Sequence, residues 1–353
     1  MPTLPFQPPI EPMLALLRAE IPEGDGWVYE PKWDGFRALV FFDGSEAYLQ
    51  SRDLKPLARY FPELAASLAE ILPAPMVLDG EIVIVTEEGL DFGALQMRIH
   101  PAESRVRKLA AETPSYFVAF DIIASGSDDL RAAPFADRRA SLESALGGLA
   151  APVFVTPTTD DITIARRWFD EFEGAGLDGI IAKRADEPYK PGVRSMVKIK
   201  HKRTADCVVA GLRWYKGSEG KAVGSLLLGL YDGDGVLHHV GHTASFKDAE
   251  RRKLAQELTP YITEDEGDGF GGGRVPGTPS RWTGGKDPAW VRLRPELVCE
   301  VSFDHLQGDR FRHATTFMRW RSDKPPRDCT YDQLETTVPF AVRDIFGPPA
   351  VSR

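Results

Sequence analysis

Apolar residues in the first 200 positions alternate between strand-like runs and helical stripes. Runs over residues 77–85, 117–123 and 179–182 are short and rich in β-branched and aromatic side chains, which is typical of strands. Over residues 62–72 and 161–173 the apolar side chains recur at helical spacing, and Gly174 follows the second stripe as a stop signal. This part of the chain is therefore predicted to mix helices with strands.

Beyond residue 200 the pattern changes to short strands separated by glycine and aspartate turns. The predicted strands span residues 207–212, 225–231, 236–241 and 297–303, with one helix over 247–258. Several short strands of this kind favour a small barrel. Residues 264–283 are rich in glycine, proline and acidic side chains and have no apolar periodicity, so a long mobile loop is predicted there.

Chain length and charge add a domain boundary to this picture. A chain of 353 residues exceeds the size at which one hydrophobic core usually stops growing, so two domains are expected. The formal net charge of −9 resolves into −10 for residues 1–200 and +1 for residues 201–353, and the change coincides with a basic run at 194–203. We predict one domain at residues 1–201, a second at 202–330 and a C-terminal tail at 331–353.

Cysteine usage and hydropathy exclude several classes of protein. Cys207, Cys299 and Cys329 are odd in number and far apart in sequence, which argues against a disulfide framework and a cysteine-rich zinc site. No apolar run approaches the roughly 20 residues that span a bilayer, and the N-terminal residues lack the features of a secretion signal. The protein is expected to be a cytoplasmic monomer that has no membrane partner.

One segment, Glu30-Pro31-Lys32-Trp33-Asp34-Gly35-Phe36-Arg37, has the composition of a nucleophilic site. Lys32 lies between proline and tryptophan, where partial desolvation is expected to lower its pKa and free the amine for attack on phosphorus. Asp34 and Gly35 predict a tight turn, and Arg37 offers a planar cation for phosphate oxygens. Taken alone, the same string also fits a surface turn with an ion pair.

Four further stretches supply groups suited to a nucleotide. Glu81 and Asp178 are carboxylates in or beside strands, and hard oxygens of this kind suit Mg²⁺ together with phosphates. Phe120 adds an aromatic face, and Lys198 and Lys200 alternate, so both ammonium groups point to one face of a strand. Each feature also has a simple structural explanation, as a salt bridge, a core residue or a solvated edge. Their joint occurrence in this order favours a phosphoryl-transfer site.

These motifs resemble those of the covalent nucleotidyltransferase superfamily. Lys32 to Gly35, Leu78 to Glu81, Phe117 to Asp121, Asp178 to Lys183 and Lys198 to Lys200 are similar to its motifs I, III, IIIa, IV and V. Arg319 to Lys324 resembles motif VI of the ATP-dependent DNA ligase branch, and Arg52 after Ser51 resembles a ligase motif that contacts DNA phosphates. The chain is most similar to compact bacterial ligases of the LigC kind and to the ligase domain of LigD. Motif IV usually begins with glutamate, and here the shorter Asp178 keeps the charge and changes the reach to a metal.

The resemblance implies an α+β ligase core with two domains. A mixed antiparallel-sheet nucleotidyltransferase domain, similar to an ATP-grasp domain, is expected before a small β-barrel domain of the OB fold. Lys32 would attack the α-phosphate of ATP, AMP would pass to the 5′-phosphate of a nick, and the 3′-hydroxyl would seal the strand. The implied cofactors are ATP and Mg²⁺, with Mn²⁺ as the alternative metal. The implied partner is nicked duplex DNA, and a repair polymerase or end-binding protein is a further candidate in DNA repair or recombination.

The resemblance also implies a role for each matching residue. Lys32, Lys198, Lys200, Arg319, Arg321, Asp323 and Lys324 are the implied catalytic residues. ATP would be bound by Glu30, Pro31, Lys32, Arg37, Glu81, Phe120, Lys183, Lys198 and Lys200. The metal would be held by Asp178 and Glu81, and DNA would be bound by Arg37, Arg52 and Arg203.

Three other functions are compatible with parts of the sequence. An RNA ligase and a GTP-using mRNA-capping guanylyltransferase also use a lysine nucleophile, but the strand pattern after Cys207 and the Arg-x-Asp-Lys form of motif VI argue against them. A binding module for nucleic acid without catalysis would not need Lys32 and its partners. The acidic net charge predicts that DNA binding depends on a local basic track and is sensitive to salt.

Overall fold

The structure is a computed structural model that describes residues 4–87, 89–201, 203–265, 269–271, 276, 289–304, 306–334 and 340–346. The chain divides into two compact units, one formed by Met1–Lys200 with Thr337–Arg353 and the other by His201–Thr336. The division after residue 200 lies beside the predicted boundary, and the predicted C-terminal tail is shared between the units. We call these the first and second units.

The first unit contains two sheets. Its strands are β1 (Leu14–Arg18), β2 (Trp27–Lys32), β3 (Phe36–Phe42), β4 (Ala47–Ser51), β5 (Met76–Val83), β6 (Val85–Thr86), β7 (Gly89–Leu90), β8 (Tyr116–Ser125), β9 (Asp128–Asp129), β10 (Val153–Val155), β11 (Gly179–Arg184) and β12 (Arg194–Lys200). One sheet has the order β1-β12-β11-β2, and the larger has the order β10-β8-β5-β3-β4 with β9 beside β8. Strands β6 and β7 form a separate two-stranded ribbon.

Helices cover the outer faces of these sheets. They are α1 (Pro62–Ile71), α2 (Phe92–Met97), α3 (Glu103–Glu112), α4 (Phe135–Leu146) and α5 (Ile162–Glu171). Alternate residues of β3 face opposite ways, so Val40 packs with residues of α1 and α4, whereas Leu39 packs with Met196 of the smaller sheet. Ala165 of α5 packs on the other face of that sheet. The first unit is thus layered, with two sheets between helices.

The second unit is a curled antiparallel sheet with one helix. Its elements are β13 (Arg203–Trp214), β14 (Val223–Tyr231), β15 (Leu237–Thr243), α6 (Asp248–Leu258), β16 (Val291–Phe303), β17 (Leu306–Gln307), β18 (Arg310–Phe311) and β19 (Thr316–Trp320). The sheet order is β15-β14-β13-β16-β19, and a bridge from Thr243 to Thr315 joins the end of β15 to the residue before β19. The Thr243 hydroxyl donates to the Thr315 carbonyl at 2.9 Å. Bridging the two outer strands in this way agrees with the predicted small barrel.

The predicted fold class is confirmed. Comparing the predicted and observed bounds of the elements shows which of them the apolar pattern predicted. The two helices expected at 62–72 and 161–173 are α1 and α5, and the helix expected at 247–258 is α6. Strand β16 begins at Val291, six residues before the predicted start. The loop predicted at 264–283 falls largely outside the described residues.

A short C-terminal segment belongs to the first unit although it follows the second in sequence. Its helix α7 spans Val342–Ile345. Val342 and Ile345 are buried in a cluster with Trp33, Phe172 and other apolar residues of the first unit. In the part of the chain that the structure describes, no helix has the length and hydropathy of a membrane span.

The three cysteines, far apart in sequence, lie in one hydrophobic core of the second unit. Cys207 on β13 is directly opposite Cys299 on β16, and Cys329 packs in the same core. All three are free thiols, and burial raises the pKa of the Cys299 thiol. Among the described residues no group of three or more His, Cys, Asp and Glu side chains is arranged to hold a metal ion.

Candidate active site

Strand register brings Lys32, Asp178 and Lys200 together in the first unit. Gly179 at the start of β11 is opposite Lys32 on one side and Lys200 on the other. The Asp178 amide donates to the Lys32 carbonyl at 2.9 Å, which joins the two chain segments at the site. A side chain at Gly179 would meet the Ile199 carbonyl oxygen at 2.0 Å, and its φ of +134° also favours glycine. The close approach of the strands therefore requires glycine here.

The Asp178 carboxylate forms ion pairs with both Lys32 and Lys200. The Asp178 Oδ2 atom lies 2.5 Å from the Lys32 Nζ atom and 2.8 Å from the Lys200 Nζ atom. Asp178 is only 3% exposed, so this charge is stabilised by its two partners rather than by water.

The lowered pKa predicted for Lys32 is wrong in this structure. Burial alone would lower the pKa, but the charge and hydrogen bond of Asp178, aided by Glu81 and Asp34, outweigh it and raise the pKa of Lys32 above its ordinary value. Lys198 shows the opposite behaviour, because burial and the positive charges of Lys32 and Lys200 lower its pKa. The cluster thus contains one strongly held ammonium and one that loses its proton more readily.

Glu81 lies on β5, directly opposite Arg37 on β3. Burial raises the pKa of the Glu81 carboxyl to about 8, although Lys32 and Arg37 oppose the shift. A side chain at Gly35 would meet the Ile82 carbonyl oxygen at 2.2 Å and the Glu81 Cγ atom at 2.9 Å, so glycine permits the turn after Lys32 to approach β5. Glu81 is therefore available as a neutral hydrogen-bonding group near the lysine cluster.

Arg37 is held by a buried partner. Its Nε and Nη2 atoms donate to the two oxygens of Asp79 at 2.9 and 2.6 Å. Tyr189 also donates to Asp79, at 2.6 Å. This bidentate pair orients the Arg37 guanidinium, whose carbon lies 5.1 Å from the centre of the Phe120 ring.

Phe120, Glu30 and Lys183 form a second group of polar and aromatic atoms. The Lys183 ammonium lies 2.7 Å from a Glu30 oxygen, donates to the Phe120 carbonyl at 3.1 Å and lies 4.9 Å from the Phe120 ring centre. Burial raises the pKa of Glu30 despite the neighbouring Lys183 charge. The Oε2 atom of Glu30 is buried and has no hydrogen-bond partner among the described residues, so it is an acceptor that fits a donor from a ligand.

Arg52 is exposed in the turn that follows β4. Its positive charge contributes to the lowered pKa of Lys198. The turn is held by hydrogen bonds between Ser51 and Lys55, and Leu54 adopts a φ of +63°, a conformation that side chains other than glycine seldom adopt.

The residues predicted for motif VI lie in the second unit, around Asp206. Arg321 Nη1 donates to both Asp206 oxygens at 2.9 and 3.0 Å, and the Lys324 ammonium lies 3.1 Å from the same carboxylate. Arg321 also binds Asp323, and its hydrogen bonds lower the pKa of Asp323 to about 2. Arg319 on β19 pairs with Glu300 of β16 at 2.6 Å.

Other predicted residues occupy separate positions. Pro31 precedes Lys32 on β2, opposite Ile180. Arg203 begins β13, opposite Phe303. Asp206 and the C-terminal aromatic residues were not predicted from the sequence. Asp206 lies 115 positions from Arg321, and no local pattern links them.

Comparisons with known proteins match both units. Residues 12–200 match the family described as ATP dependent DNA ligase domain, and residues 219–324 match the family described as ATP dependent DNA ligase C terminal region. The chain is 52% identical over 354 residues to DNA ligase C of Mycobacterium tuberculosis (strain ATCC 25618 / H37Rv), covering 97% of this chain and 98% of that protein. It is 50% identical over 349 residues to DNA ligase C2 of Mycolicibacterium smegmatis (strain ATCC 700084 / mc(2)155), with coverage of 94% and 96%.

A solved structure supports the fold independently. A Lig E DNA ligase, described as binding DNA with a minimal scaffold, matches with a TM-score of 0.54 at 18% identity, covering 88% of this chain and 99% of that one. At this identity the match supports the fold alone.

Proposed function

This chain belongs to the ATP-dependent DNA ligase family, and from that premise we propose that it seals nicks in duplex DNA through an AMP adduct on Lys32. The adduct then passes to the 5′-phosphate of the nick, and attack by the 3′-hydroxyl joins the strand and releases AMP. The observation that supports Lys32 most strongly is its ion pair with Asp178, a buried carboxylate that also pairs with Lys200, where β2, β11 and β12 meet.

In the first step Lys32 forms a bond from nitrogen to the α-phosphorus, and the bond from that phosphorus to pyrophosphate breaks. Before it attacks, the ammonium must pass a proton to Asp178, its partner at 2.5 Å, or to water, and the raised pKa of Lys32 opposes this loss. Binding of the polyphosphate beside Lys198 and Lys200 gives Lys200 a second anionic partner besides Asp178. We assign Asp178 the role of holding the Lys32 side chain in place, through their ion pair, until ATP arrives.

The family implies a divalent metal, and the donor set fits one. Asp178 and Glu81 supply hard carboxylate oxygens, which Mg²⁺ takes together with phosphate oxygens and water, and Mn²⁺ accepts the same donors. When bound, the metal would supply positive charge that neutralises the transferring phosphate. We propose Asp178 and Glu81 as its protein ligands.

The nucleoside end of ATP has a matching set of groups. The unpartnered Glu30 oxygen would accept a hydrogen from the adenine edge beside Pro31, and Phe120 would stack on the base. Lys183 holds Glu30 in place through its 2.7 Å ion pair. The Glu81 carboxyl group would hydrogen-bond the ribose when it is not engaged with metal.

The second unit would contribute the cations that orient pyrophosphate. We assign Arg321 and Lys324 to this role, with Asp323 holding the Arg321 guanidinium through two hydrogen bonds and Arg319 as a further cation on β19. Phosphoryl transfer depends mainly on positioning and charge neutralisation, so such groups contribute without any covalent chemistry of their own.

DNA contacts are proposed for three arginines. Arg52 lies on the exposed turn after β4 and Arg203 begins β13, where both suit phosphates of the DNA backbone. Arg37 is held by Asp79 and would contact the nick with its remaining edge. We propose a role in DNA repair or recombination, with a repair polymerase or end-binding protein as a partner, by analogy with the family. The cytoplasmic location and the monomeric state stay predictions.

The test is transfer of label from α-labelled ATP to the protein. Lys32→Ala is expected to remove the label completely, and Lys190→Ala is the matched control, because Lys190 pairs with Glu187 outside the site. Labelled GTP is expected to give no adduct. A Lys32→Ala protein that still forms the adduct, or a wild-type protein that takes GMP in preference to AMP, would overturn the proposal.

A further inference from the structure

The C-terminal segment at residues 340–346 closes an aromatic cluster of the first unit. The Phe346 ring stacks on Trp33 with centroids 5.2 Å apart and planes 9° apart, and it stacks on Phe154 at 4.3 Å. The Phe340 ring contacts Phe172 at 5.0 Å. Between these rings, Val342 and Ile345 are only 3% and 6% exposed. The segment is thus anchored by four apolar side chains, unlike a solvated tail.

This cluster includes the sequence neighbours of both members of the Lys32–Asp178 ion pair. Trp33 follows Lys32, and Leu177, which precedes Asp178, packs in the same cluster. The Trp33 indole is also fixed at its polar edge, because its Nε1 atom donates to the Thr156 hydroxyl at 2.8 Å. The backbone hydrogen bond from Asp178 to Lys32 joins the two chain segments that contain Leu177 and Trp33. Phe346 therefore packs one residue away from the proposed nucleophile.

We propose that residues 340–346 are a positioning element for self-adenylation, in which Phe346 acts through Trp33 on the Lys32 amine. The proposal rests on the proposed function of Lys32. A nucleophile must lie within a few tenths of an ångström of its attack position, and displacement of about 1 Å costs about 100-fold in rate. Since Phe346 would act on Lys32 only through its contact with Trp33, it is a positioning residue.

A positioning role gives a specific kinetic signature. Self-adenylation requires the Lys32 amine at its attack position, whereas sealing of a nick that already has AMP on its 5′-phosphate does not. Loss of Phe346 should therefore slow formation of the lysine adduct and leave ATP affinity and the sealing of adenylated nicks unchanged. A general loss of stability would reduce all three.

The experiment compares Phe346→Ala, Phe346→Trp and Phe6→Ala in the full chain. Phe6 is a matched control, because it is also half-buried and packs against Phe41 and Arg131 in a different cluster. Single-turnover adduct formation with labelled ATP is expected to slow at least about tenfold in Phe346→Ala, with ATP affinity and sealing within about twofold of wild type. Phe346→Trp should restore the rate, and Phe6→Ala should keep it.

Several results would overturn the proposal. They are an unchanged adduct rate in Phe346→Ala, an equal loss in adduct formation and in sealing, or the same slowing in Phe6→Ala. If Phe346→Ala does not fold, Phe346→Leu tests the same prediction with a smaller loss of packing. Failure of the proposed function itself is seen separately, as absence of the adduct in the wild-type protein or its persistence in Lys32→Ala.

Discussion

In each unit a carboxylate is shared by two cations. In the first unit Asp178 holds Lys32 and Lys200 at 2.5 and 2.8 Å, and in the second unit Asp206 holds Arg321 and Lys324 at 2.9 and 3.1 Å. All four cations are ones we assign to the phosphates of ATP. The two carboxylates therefore have the same arrangement of cationic partners, and the effects of substituting them can be compared directly.

They differ in how firmly they are built into the fold. Asp178 is 3% exposed and adjoins three paired strands, whereas Asp206 is 12% exposed and its partners lie in the segment after β19. Removing the charge of a buried carboxylate leaves its cations without compensation in a poorly solvated place, while a more exposed pair is screened by water. We therefore expect activity to be more sensitive to substitutions around Asp178 than to substitutions around Asp206.

Within this comparison of the two carboxylates, the largest effect is expected for Asp178→Asn. The substitution removes the shared charge and one proposed metal ligand, so self-adenylation should fall by at least about 100-fold, as when a preorganised charge is removed from an active site. The rate of lysine adduct formation is the measurement. Asp129→Asn is the control, because that carboxylate pairs with Arg131 on the surface. Near-normal adduct formation in Asp178→Asn would contradict the account.

The next largest effect is expected for Asp323→Ala and Arg321→Ala in the second unit. Each should slow self-adenylation by about 10- to 100-fold. Arg321→Ala removes a cation that orients pyrophosphate, and Asp323→Ala removes the carboxylate that holds this cation. Sealing of a nick that is already adenylated should change little, because that step has no pyrophosphate. Equal losses in the two assays would refute a role specific to pyrophosphate.

Asp206→Asn should have a smaller effect than Asp178→Asn. The amide keeps a similar shape but loses the charge that holds Arg321 and Lys324, so self-adenylation should change by about twofold to fivefold, the range of a partly exposed pair. Adduct formation by both variants in parallel decides the comparison. A loss as large as that of Asp178→Asn would show that burial is not the relevant difference.

The smallest effect concerns pH. The pKa of Lys198 is lowered, so its ammonium is lost on raising the pH sooner than that of an ordinary lysine, and ATP binding should weaken as it is lost. Arginine keeps its charge, so Lys198→Arg should bind ATP about threefold more tightly than wild type near pH 10 and equally near pH 7. Titration calorimetry at both pH values is the measurement. If the ATP affinities of the wild-type protein and Lys198→Arg change in the same way with pH, loss of the Lys198 charge does not explain the weaker binding.

Local patterns predicted much of the fold because apolar spacing and burial agreed in those elements. Helix α5 has a clear apolar stripe and an aspartate cap, Asp161, whose side chain accepts from the Thr163 amide. Helix α4 was not predicted, because its buried face includes Arg138, which donates to Asp121 at 2.8 and 2.9 Å and interrupts the apolar stripe. A buried charge pair of this kind gives no periodic signal.

Short motifs predicted residues that strand pairing brings together in the structure, but they did not predict the electrostatics of these residues. Short motifs identified Lys32 and Asp178 separately, yet the ion pair between them depends on strand pairing across more than a hundred residues. The expected pKa of Lys32 was wrong for this reason. Phe346 could not be predicted at all, since nothing near it in sequence indicates that it packs on Trp33.

The central claim, that Lys32 is the nucleophile held by Asp178, is tested most directly by locating the AMP adduct. Wild-type protein incubated with ATP and Mg²⁺ would be digested, and the modified peptide sequenced by mass spectrometry. We expect AMP on the peptide that contains Lys32, and no modified lysine in Lys32→Ala. An adduct on Lys198, Lys200 or any other residue, or none in the wild-type protein, would contradict it.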